Sequence, residues 1–428
     1  MSNLFSSNQI RTILDTTSIG SVDCFVSKVV IDSREADGDS LFVPLVGEFT
    51  DGNLYIEGAL KLGCRLSLVL LSYYNNNIEL FHRFSVDYDA QFFVVDDGLM
   101  ALHRLAKWHI ERFENLTIIG ITGSSGKTST KEILFRITKE HRYAVLEMGM
   151  SSPGEIKALV DIANPHIGII TNIGTAHIGF FNNQEGIARE KRNLFSNFSK
   201  NDIAIIPEWD DYSSFLSQGV NGDIIIVPDA PEYITEIKSL GLDGWSFLYK
   251  GFEVLFPYVG EYNLKNAYLS ISCARELNVS SEDIVKGLTC VSPIFGRGEI
   301  LKGVNRIVRD CYNANPDSMR SSLRMLSTMD WDGDKLPILG SMLELGEQTS
   351  VEHLAVVNYA LELFPRVIFY GSEFKEACKG FEDSNRYLFF TEMNVMKKTL
   401  VHEIRPGTLV LLKASRGVKL EGITESIL

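Results

Sequence analysis

Residues 116–130 read LTIIGITGSSGKTST, an apolar strand pattern that runs into a glycine loop and then into the start of a helix. Gly123 and Gly126 let the loop backbone bend, so that its N–H groups can surround phosphate oxygens. Lys127 supplies an ammonium, Thr128 supplies a hydroxyl for a magnesium ion, and the helix N-terminus adds its positive dipole. The stretch therefore predicts a strand, a phosphate-binding loop and a helix within an α/β domain, with ATP as the ligand.

The loop departs from the full G-x-x-x-x-G-K-[ST] pattern, because Ile121 stands at the position of the first glycine and only G-x-x-G-K-T is met. A tight strand-to-helix turn without a ligand is the alternative. The strand, the lysine and the threonine together favour the phosphate-binding interpretation. The predicted loop contacts to ATP are Gly123, Ser124, Ser125, Gly126, Lys127, Thr128 and Ser129.

Length and composition indicate a soluble protein of several domains. The chain has 428 residues, more than one hydrophobic core usually holds, so two or three domains are expected. No apolar run approaches the roughly 20 residues that span a bilayer, and the first ten residues do not form a secretion signal. The six cysteines are scattered without a C-x-x-C pair, which predicts reduced thiols in the cytoplasm rather than a disulfide or metal framework.

The charge balance limits the possible partners. The formal net charge is −14, and no basic run with interleaved aromatic residues occurs, so a nucleic-acid surface is not expected. An anionic small substrate would have to be attracted by local cations, namely magnesium and a few placed lysines and arginines.

Three domains are predicted along the chain, over residues 1–98, 99–294 and 295–428. The first is a small mixed α/β domain. The second alternates strand patterns (YAVLEMG, HIGIITNIG, DIAIIP, DIIIVP) with helical ones, which is typical of a parallel sheet covered by helices. The third alternates again (RIVRDCY, KLPILGSM, RVIFYG, TLVLLKAS) and is predicted to be a Rossmann-like α/β domain.

Polar residues follow strands of the middle domain, where open α/β sheets bind ligands. Glu147 ends the strand YAVLE, and His177 follows the strand HIGIITNIG, so both could reach a metal between phosphates. A structural role for either is the alternative. Lys191 lies on the helical stretch EGIAREKRNLF, whose charged residues could equally form a solvated face.

The chain resembles the Mur ligases of bacterial cell-wall synthesis in motifs that run nearly from end to end. These motifs are IDSREADGDSLFVPLVGEFTDG, TGSSGKTSTKE, EMGMSSPGEI, TNIGTAHIGFF with IAREKRNLF, GEYNLKNA, FGRGE, RDCYNANPDSM, LGSMLELGE and LLKASRG. TGxxGKT and the lysine helix are general to the family. YNANPDS and GSMLELGE mark the branch that adds D-alanyl-D-alanine to UDP-N-acetylmuramoyl-tripeptide, so these two substrates are the implied partners.

The resemblance implies a reaction in which ATP phosphorylates a peptide carboxylate and an amine then attacks the acyl phosphate. A carboxylate is a poor electrophile until phosphate makes it a leaving group, and the transferring phosphoryl group needs cations around it. The resemblance assigns Lys127 and Thr128 to the phosphates and a first magnesium ion, and Glu147 and His177 to a second. Lys191 matches a carbamylated lysine, which would become a magnesium ligand. The implied catalytic residues are Lys127, Lys191, His177 and Arg297.

Further ATP contacts follow from the same resemblance. Asn266 is assigned to the adenine, Arg297 to the phosphates and Asp310 to the ribose, with Tyr312, Asn313 and Asn315 on the same side. Contacts from two domains imply closure over ATP, which would protect an acyl phosphate from water. Without the resemblance, Asn266 is a polar helix residue, and NANPDS is a turn followed by a helix capped by Asp317 or Ser318.

The first domain carries the implied uridine-diphosphate site. Ser33 and Arg34 match one nucleotide-contacting motif, and Asp51 and Gly52 match a second, D-G motif. The family commonly has histidine after that pair, whereas this chain has Asn53. A turn closed by Asp51 and Gly52 between two strands is the alternative.

The connection between Thr128 and Glu147 is shorter than in the family, which usually adds a strand, an asparagine-rich loop and a helix. Either this protein has lost that segment, or the segment is absent from the printed sequence. Loss would expose apolar faces of neighbouring elements, which favours the second alternative. An absent segment would separate consecutive Cα atoms between Ile137 and Tyr143 by much more than about 3.8 Å.

Three functions compatible with these motifs remain. An ATP-dependent ligase is favoured, because residues for both magnesium sites and the lysine are present. A Mur-like nucleotide-binding protein without catalysis is the second, and a ligase related to folylpolyglutamate synthetase is the third, although that relationship gives no reason for the YNANP and DSR motifs. A monomer is expected. The third residue of the tripeptide, diaminopimelate or lysine, stays open.

Overall fold

The computed structural model describes residues 3–47, 49–138, 142–381 and 385–428. The chain forms two compact units, one of residues 1–115 and 161–163 and one of residues 116–160 and 164–428. Both units combine helices with largely parallel sheets, so the predicted α/β class is confirmed.

The first unit is built on a five-stranded sheet with strand order β2-β7-β6-β5-β4, in which only β2 runs antiparallel to its neighbour. A separate antiparallel pair joins β1 and β3. The elements of this unit are β1 (Phe5–Ser6), α1 (Ser7–Leu14), β2 (Ser18–Ile19), β3 (Phe25–Val26), β4 (Lys28–Val30), β5 (Ser40–Phe42), α2 (Ile56–Lys61), β6 (Leu66–Leu70), α3 (Leu71–Asn75), α4 (Ile78–Asp87), β7 (Gln91–Val95) and α5 (Gly98–Glu111).

Helix α5 packs in the first unit. Its Ala101 and Leu105 share a buried core with Phe93 of β7 and Leu68 of β6. The domain boundary predicted after residue 98 would instead assign α5 to the middle domain. Its amphipathic pattern shows that one face is buried, but the pattern does not show which sheet covers that face.

The central part of the chain carries a fully parallel sheet of order β12-β11-β10-β8-β9, as predicted, and a three-stranded antiparallel sheet β13-β14-β15 that the sequence reading missed. The elements are β8 (Thr117–Thr122), α6 (Lys127–Ile137), β9 (Tyr143–Glu147), α7 (Glu155–Ala163), β10 (Ile167–Ile170), α8 (Ile178–Phe181), α9 (Gln184–Arg192), β11 (Ile203–Pro207), α10 (Ser213–Ser217), β12 (Asp223–Val227), β13 (Ile234–Ser239), β14 (Trp245–Tyr249), β15 (Phe252–Phe256), α11 (Glu261–Glu276) and α12 (Ser281–Cys290). Side chains of β8, β10, α6, α11 and α12 share one buried core.

The last part forms a six-stranded sheet of order β16-β17-β21-β18-β19-β20, parallel except for the edge strand β16. Its elements are β16 (Glu299–Lys302), β17 (Arg306–Asp310), α13 (Pro316–Thr328), β18 (Lys335–Gly340), α14 (Thr349–Leu363), β19 (Val367–Tyr370), α15 (Glu373–Ala377), β20 (Tyr387–Phe390), α16 (Met393–Glu403), β21 (Leu409–Lys413) and α17 (Thr424–Ile427). Within the second unit, residues 116–160 and 164–294 are called the central lobe, and residues 295–428 the C-terminal lobe.

The short connection after α6 falls partly on residues 139–141, which lie outside the described residues. Helix α6 ends at Ile137, and β9 begins at Tyr143. The spacing test between these two residues is therefore not decided, and the absence of a segment stays a prediction.

Two paired glycines let the segment after α9 approach the central sheet. Gly120 of β8 lies opposite Gly168 of β10 in the parallel register. A Cβ on Gly120 would lie 2.9 Å from Leu194 Cδ1, and a Cβ on Gly168 would lie 2.8 Å from Phe195 Cε1. Because neither glycine has a side chain, the segment that directly follows α9, the helix of Lys191, can lie close to the sheet.

The structure also describes the lengths of the helices and the state of the cysteines. No helix in the described ranges has the length and apolar character needed to cross a bilayer. All six cysteines are free, as the scattered spacing predicts.

Gly168→Ala should destabilise the protein, because the added methyl group would overlap the Phe195 ring, and overpacking a core typically costs about 1–3 kcal/mol. Urea denaturation followed by circular dichroism measures the free energy of unfolding. Gly149→Ala is the matched control, since a Cβ there would meet no atom within 4 Å. Equal stability of Gly168→Ala and the wild type would show that the segment after α9 can move away from the sheet without loss.

Candidate active site

The loop between β8 and α6 adopts the predicted glycine-dependent conformation. Gly126 has φ +79°, and a Cβ on it would lie 2.5 Å from Asn266 Oδ1. A Cβ on Gly123 would overlap the Thr171 hydroxyl. Both glycines are therefore required by close approach of neighbouring side chains as well as by backbone conformation.

Lys127 folds back across this loop. Its Nζ donates a hydrogen bond of 2.8 Å to the Gly123 carbonyl. Burial of the ammonium lowers the pKa of Lys127, the nearby Glu147 opposes that shift, and Arg297 adds to it. The ammonium is thus held inside the curve of the loop, where phosphate oxygens are expected.

Thr128 and Glu147 meet at the carboxyl edge of the central sheet. Glu147, the last residue of β9, pairs in register with Ile121 of β8, immediately before the glycine loop. The Thr128 hydroxyl donates a hydrogen bond of 2.8 Å to Glu147 Oε2. The two predicted metal-binding oxygens are therefore adjacent.

The segment after β10, residues 171–177, supports the glycine loop from the side, a role that the sequence reading missed. Asn172 Oδ1 accepts a hydrogen bond of 2.9 Å from the Ser125 N–H, and the Gly174 N–H donates to Ser124 Oγ at 2.8 Å. Asp210 Oδ2 accepts from the Ile173 N–H at 2.6 Å. Polar residues directly after an apolar strand were the available signal, although their partners lie far away in sequence.

The charge of Lys127 affects the pKa of both His177 and Lys191. Lys191 is only 1% exposed, and burial, reinforced by the charge of Lys127, holds the pKa of its amine well below the usual value. Burial also lowers the pKa of His177, and the charges of Lys127 and Lys191 add to that effect while Glu344 opposes it. No hydrogen bond or ion pair to the Lys191 amine occurs among the described residues.

Arg297 approaches this group from the C-terminal lobe. Its guanidinium carbon lies 4.2 Å from the centroid of the Tyr312 ring. The buried Nε has no hydrogen-bond partner within the described part of the chain. The charge of Arg297 adds to the lowering of the pKa of Lys127, so the two side chains are near each other.

Asp310 is held by other protein groups. Its Oδ2 accepts hydrogen bonds from Lys413 Nζ at 2.8 Å and from Ser322 Oγ at 2.9 Å, and the residue is 9% exposed. Lys413 Nζ also donates to the Asn313 carbonyl at 3.0 Å, which fixes the loop after β17. Lys413 was not among the predicted site residues.

Asn315, rather than Asp317 or Ser318, is the N-cap of α13, and Ser318 completes the cap, because its Oγ accepts a hydrogen bond of 3.0 Å from the Asn315 N–H. Asn315 Oδ1 accepts from the Ser318 N–H at 2.9 Å, and its Nδ2 donates to the Ser124 carbonyl of the glycine loop at 3.3 Å. Asp317 instead binds the central lobe, where its Oδ2 accepts from the Thr175 N–H at 2.7 Å and from its hydroxyl at 2.9 Å.

Asn266 lies on α11 against the glycine loop and is 6% exposed. Its Nδ2 donates a hydrogen bond of 3.3 Å to Asn263 Oδ1. The side chain therefore lies beside the phosphate-binding backbone, and a role toward adenine stays a prediction.

The predicted nucleotide-sugar residues lie in the first unit. Arg34 forms a bidentate ion pair with Asp32, and its side chain is 85% exposed. Asp51 Oδ1 accepts from the backbone and side-chain amides of Asn53. Asn53 is buried, and its Oδ1 accepts from the Leu70 N–H at 3.1 Å, so it anchors the turn to β6.

Three comparisons place this architecture among known proteins. Residues 131–274 match the Mur ligase middle domain, and residues 296–416 match the Mur ligase glutamate ligase domain. A UDP-N-acetylmuramoyl-tripeptide–D-alanyl-D-alanine ligase of Treponema pallidum is 32% identical over 425 residues, which cover 92% of this chain and 92% of that protein.

Solved structures give the same relationship. A crystal structure of MurF from Acinetobacter baumannii has a TM-score of 0.87 and 26% identity, with 99% of this chain and 98% of that chain covered. A MurF ligase from Thermotoga maritima in complex with ADP has a TM-score of 0.77 and 24% identity, over 94% of this chain and 96% of that chain, and shares the fold.

Proposed function

This chain belongs to the Mur ligase family, and we propose that it joins D-alanyl-D-alanine to UDP-N-acetylmuramoyl-tripeptide with conversion of ATP to ADP and phosphate. The relative from Treponema pallidum carries that name and matches over nearly the whole length of both chains. The reaction belongs to peptidoglycan synthesis. We place it in the cytoplasm, with the protein acting as a monomer.

The chemistry requires activation of a carboxylate. Transfer of the ATP γ-phosphoryl group to the terminal carboxylate of the tripeptide makes an acyl phosphate. The amine of D-alanyl-D-alanine then attacks the acyl carbon, phosphate leaves from the tetrahedral intermediate, and the amine loses its proton. The protein must stabilise negative charge on the phosphoryl group and keep water away from the acyl phosphate.

The observation that supports the proposal is that the charge of Lys127 acts on both Lys191 and His177, and that the charge of Arg297 acts on Lys127, beside the glycine loop. Burial is the largest cause of the lowered pKa of Lys127, Lys191 and His177, and the neighbouring positive charges add to it, whereas Glu147, Glu190 and Glu344 oppose it. Buried cations require compensating negative charge. A triphosphate, and then a transferring phosphoryl group, would supply it.

Lys191 fits the implied carbamate. Burial lowers the pKa of its amine and so favours the neutral form, which is the form that adds to carbon dioxide with loss of a proton. The product would place a negative charge among Lys127, His177 and Arg297. It would also replace an amine, which is a poor ligand for magnesium, with oxygen atoms.

Magnesium would be held by two sets of residues. The Thr128 hydroxyl would hold the first ion together with phosphate. Glu147 and His177 would hold the second, with Lys191 as its carbamate, and the hydrogen bond between Thr128 and Glu147 makes the two sets adjacent. Bound magnesium would neutralise charge on the transferring phosphoryl group.

The rest of ATP is assigned to α11 and to the C-terminal lobe. We propose that Asn266 lies near the adenine, that Asp310 accepts a hydrogen bond from a ribose hydroxyl, and that Tyr312, Asn313 and Asn315 complete this side. Asp310 keeps Oδ1 for such a contact, because its two hydrogen bonds use Oδ2. The proposed contacts to uridine diphosphate remain Ser33, Arg34, Asp51 and Gly52. We also keep the proposed division into three domains, with boundaries near residues 98 and 294.

Substrate-dependent release of phosphate tests the proposed function. Phosphate should appear from ATP only when both UDP-N-acetylmuramoyl-tripeptide and D-alanyl-D-alanine are present, and mass spectrometry should detect the pentapeptide product. A nucleotide-binding protein without catalysis would bind ATP and release no phosphate. Turnover with a folate substrate and glutamate instead would contradict the proposal.

Lys191→Ala should abolish turnover and leave ATP binding largely intact, because the lysine acts through the carbamate rather than through the adenosine. Short carboxylic acids added to the variant should restore part of the activity, since they can occupy the place of the carbamate. Steady-state assays and calorimetric titration with an ATP analogue measure the two effects. Lys200→Ala, an exposed lysine beyond the same helix, is the control. Wild-type turnover by Lys191→Ala would remove this residue from the mechanism.

Lys127→Ala should lower kcat at saturating ATP by roughly 100- to 1,000-fold, because loss of one preorganised donor to a developing charge costs about 2.7–4 kcal/mol. Arg297→Ala should act in the same direction. Initial rates over a range of ATP concentrations separate kcat from KM. A rise in KM for ATP with unchanged kcat would make Lys127 a binding residue only.

A further inference from the structure

Two short segments meet residue by residue between the central and C-terminal lobes. His177 Nδ1 lies 2.8 Å from Glu344 Oε2. Two positions further along each segment, the backbones themselves touch. A Cβ on Gly179 would lie 3.0 Å from the Gly346 nitrogen, and a Cβ on Gly346 would lie 3.1 Å from Gly179 Cα. The contact thus places the carboxylate of Glu344, from the C-terminal lobe, beside His177, a proposed site residue of the central lobe.

The backbone on both sides of this contact is in the left-handed region. His177 has φ +62° and Glu344 has φ +66°, although neither residue is glycine. Such a conformation costs on the order of 1–3 kcal/mol for each non-glycine residue and persists only where surrounding structure fixes it. The surrounding structure therefore holds both residues in a conformation that few non-glycine residues adopt.

The loop that carries Glu344 is firmly held. The Met342 N–H donates to Nε2 of the buried His353 at 3.0 Å, and the Leu343 N–H donates to Ser415 Oγ at 3.0 Å. Leu345, next to Glu344, is 1% exposed and packs in the core of the C-terminal lobe. The Glu344 side chain is itself 54% exposed, and His177 is its sole hydrogen-bonding or ionic neighbour among the described residues.

An ordinary ion pair does not account for this arrangement. Pairs with one half-exposed partner contribute about 0–1 kcal/mol, which is less than the strain of the two backbones. The distance is within hydrogen-bond reach, but the geometry does not align the Nδ1 hydrogen, so Nδ1 has no hydrogen bond.

We infer that Glu344 is a positioning residue, whose carboxylate accepts the Nδ1 hydrogen of His177 and so fixes the orientation and tautomer of that ring when the lobes are docked. The Nε2 lone pair is then presented to the phosphate and magnesium site. A carboxylate behind a ligating histidine acts in this way in metal sites generally. The inference rests on the proposed function, because it assumes that His177 serves that site.

The consequence is a link between docking of the lobes and completion of the site. Glu344 reaches His177 only while the C-terminal lobe lies against the central lobe through Gly179 and Gly346. Without docking, His177 would keep its place on the central lobe but lose the group that selects its tautomer. The active arrangement therefore needs a residue from each lobe at this point.

Glu344→Ala should lower kcat and weaken activation by magnesium, each by about 10- to 100-fold, as is typical when a carboxylate behind a ligating histidine is removed. The KM for the incoming dipeptide should change little. Glu344→Gln keeps an acceptor oxygen and should lose less. Glu347→Ala removes an exposed carboxylate from the same loop and should match the wild type. A variant of Glu344→Ala with unchanged kcat and magnesium activation would overturn the inference.

A second measurement does not depend on activity. Nitrogen-15 spectra of histidine-labelled enzyme at pH 8, without nucleotide or metal, report the tautomer of each ring, and His177→Asn identifies the signal. The wild type should show a single Nδ1–H form at His177, and Glu344→Ala should show a mixture. An identical pattern in both would overturn the positioning role. If no ligase activity is found in any form of the protein, the proposed function fails, whereas the spectra still decide whether Glu344 fixes the ring.

Discussion

The constraint on which the site depends is the placement of positive charge where water is scarce. Burial lowers the pKa of Lys127 and of Lys191, and each lysine disfavours the charge of its neighbours. A protein with a net charge of −14 has enough carboxylates to neutralise these groups, yet Glu147 is the acidic side chain that the structure brings to Lys127. Burial thus disfavours the charged form of both lysines in the absence of a ligand, and a ligand with several negative charges would favour that form.

The fold keeps these groups together through connections that end at one edge of the sheet. Parallel strands place the glycine loop, Glu147 and the segment after β10 side by side. Lys191 lies on α9 rather than after a strand, and the turn that follows α9 packs over Gly120 and Gly168. The C-terminal lobe then adds Arg297 and docks through Asp317 to Thr175. Each group therefore depends on a separate packing contact.

Sequence reasoning predicted the parts of this arrangement that are local. The glycine loop follows β8, Glu147 ends β9, and His177 belongs to the segment after β10, so their position at the sheet edge could be inferred from the order of residues. The N-cap of α13 also had a local signal, because Asn315 precedes a proline at the first helical position. The cap proposed from the sequence was nevertheless Asp317 or Ser318. The antiparallel sheet β13-β15 was missed because its strands follow one another without the helices that mark the other sheets.

The contacts between distant segments could not be predicted from the sequence. Glu344, Asp317 and Lys413 lie in motifs that the sequence reading recognised, but nothing local shows which partner each one meets. Asp317 is an ordinary acidic residue in the first turn of a helix, where it would be favoured by the helix dipole alone. Its contact with Thr175, in the segment after β10, joins two lobes whose residues are far apart in sequence.

The edge position of β9 also bears on how phosphate is bound. Strand β9 pairs with β8 and ends the sheet, and its first four residues are half-buried, whereas β10 is buried throughout. Support for the glycine loop comes instead from the other side, through Asn172, Asn315 and the Ser124 hydroxyl. Because Asn315 belongs to the C-terminal lobe, the shape of the phosphate loop depends on docking of that lobe more directly than the sheet topology alone would suggest.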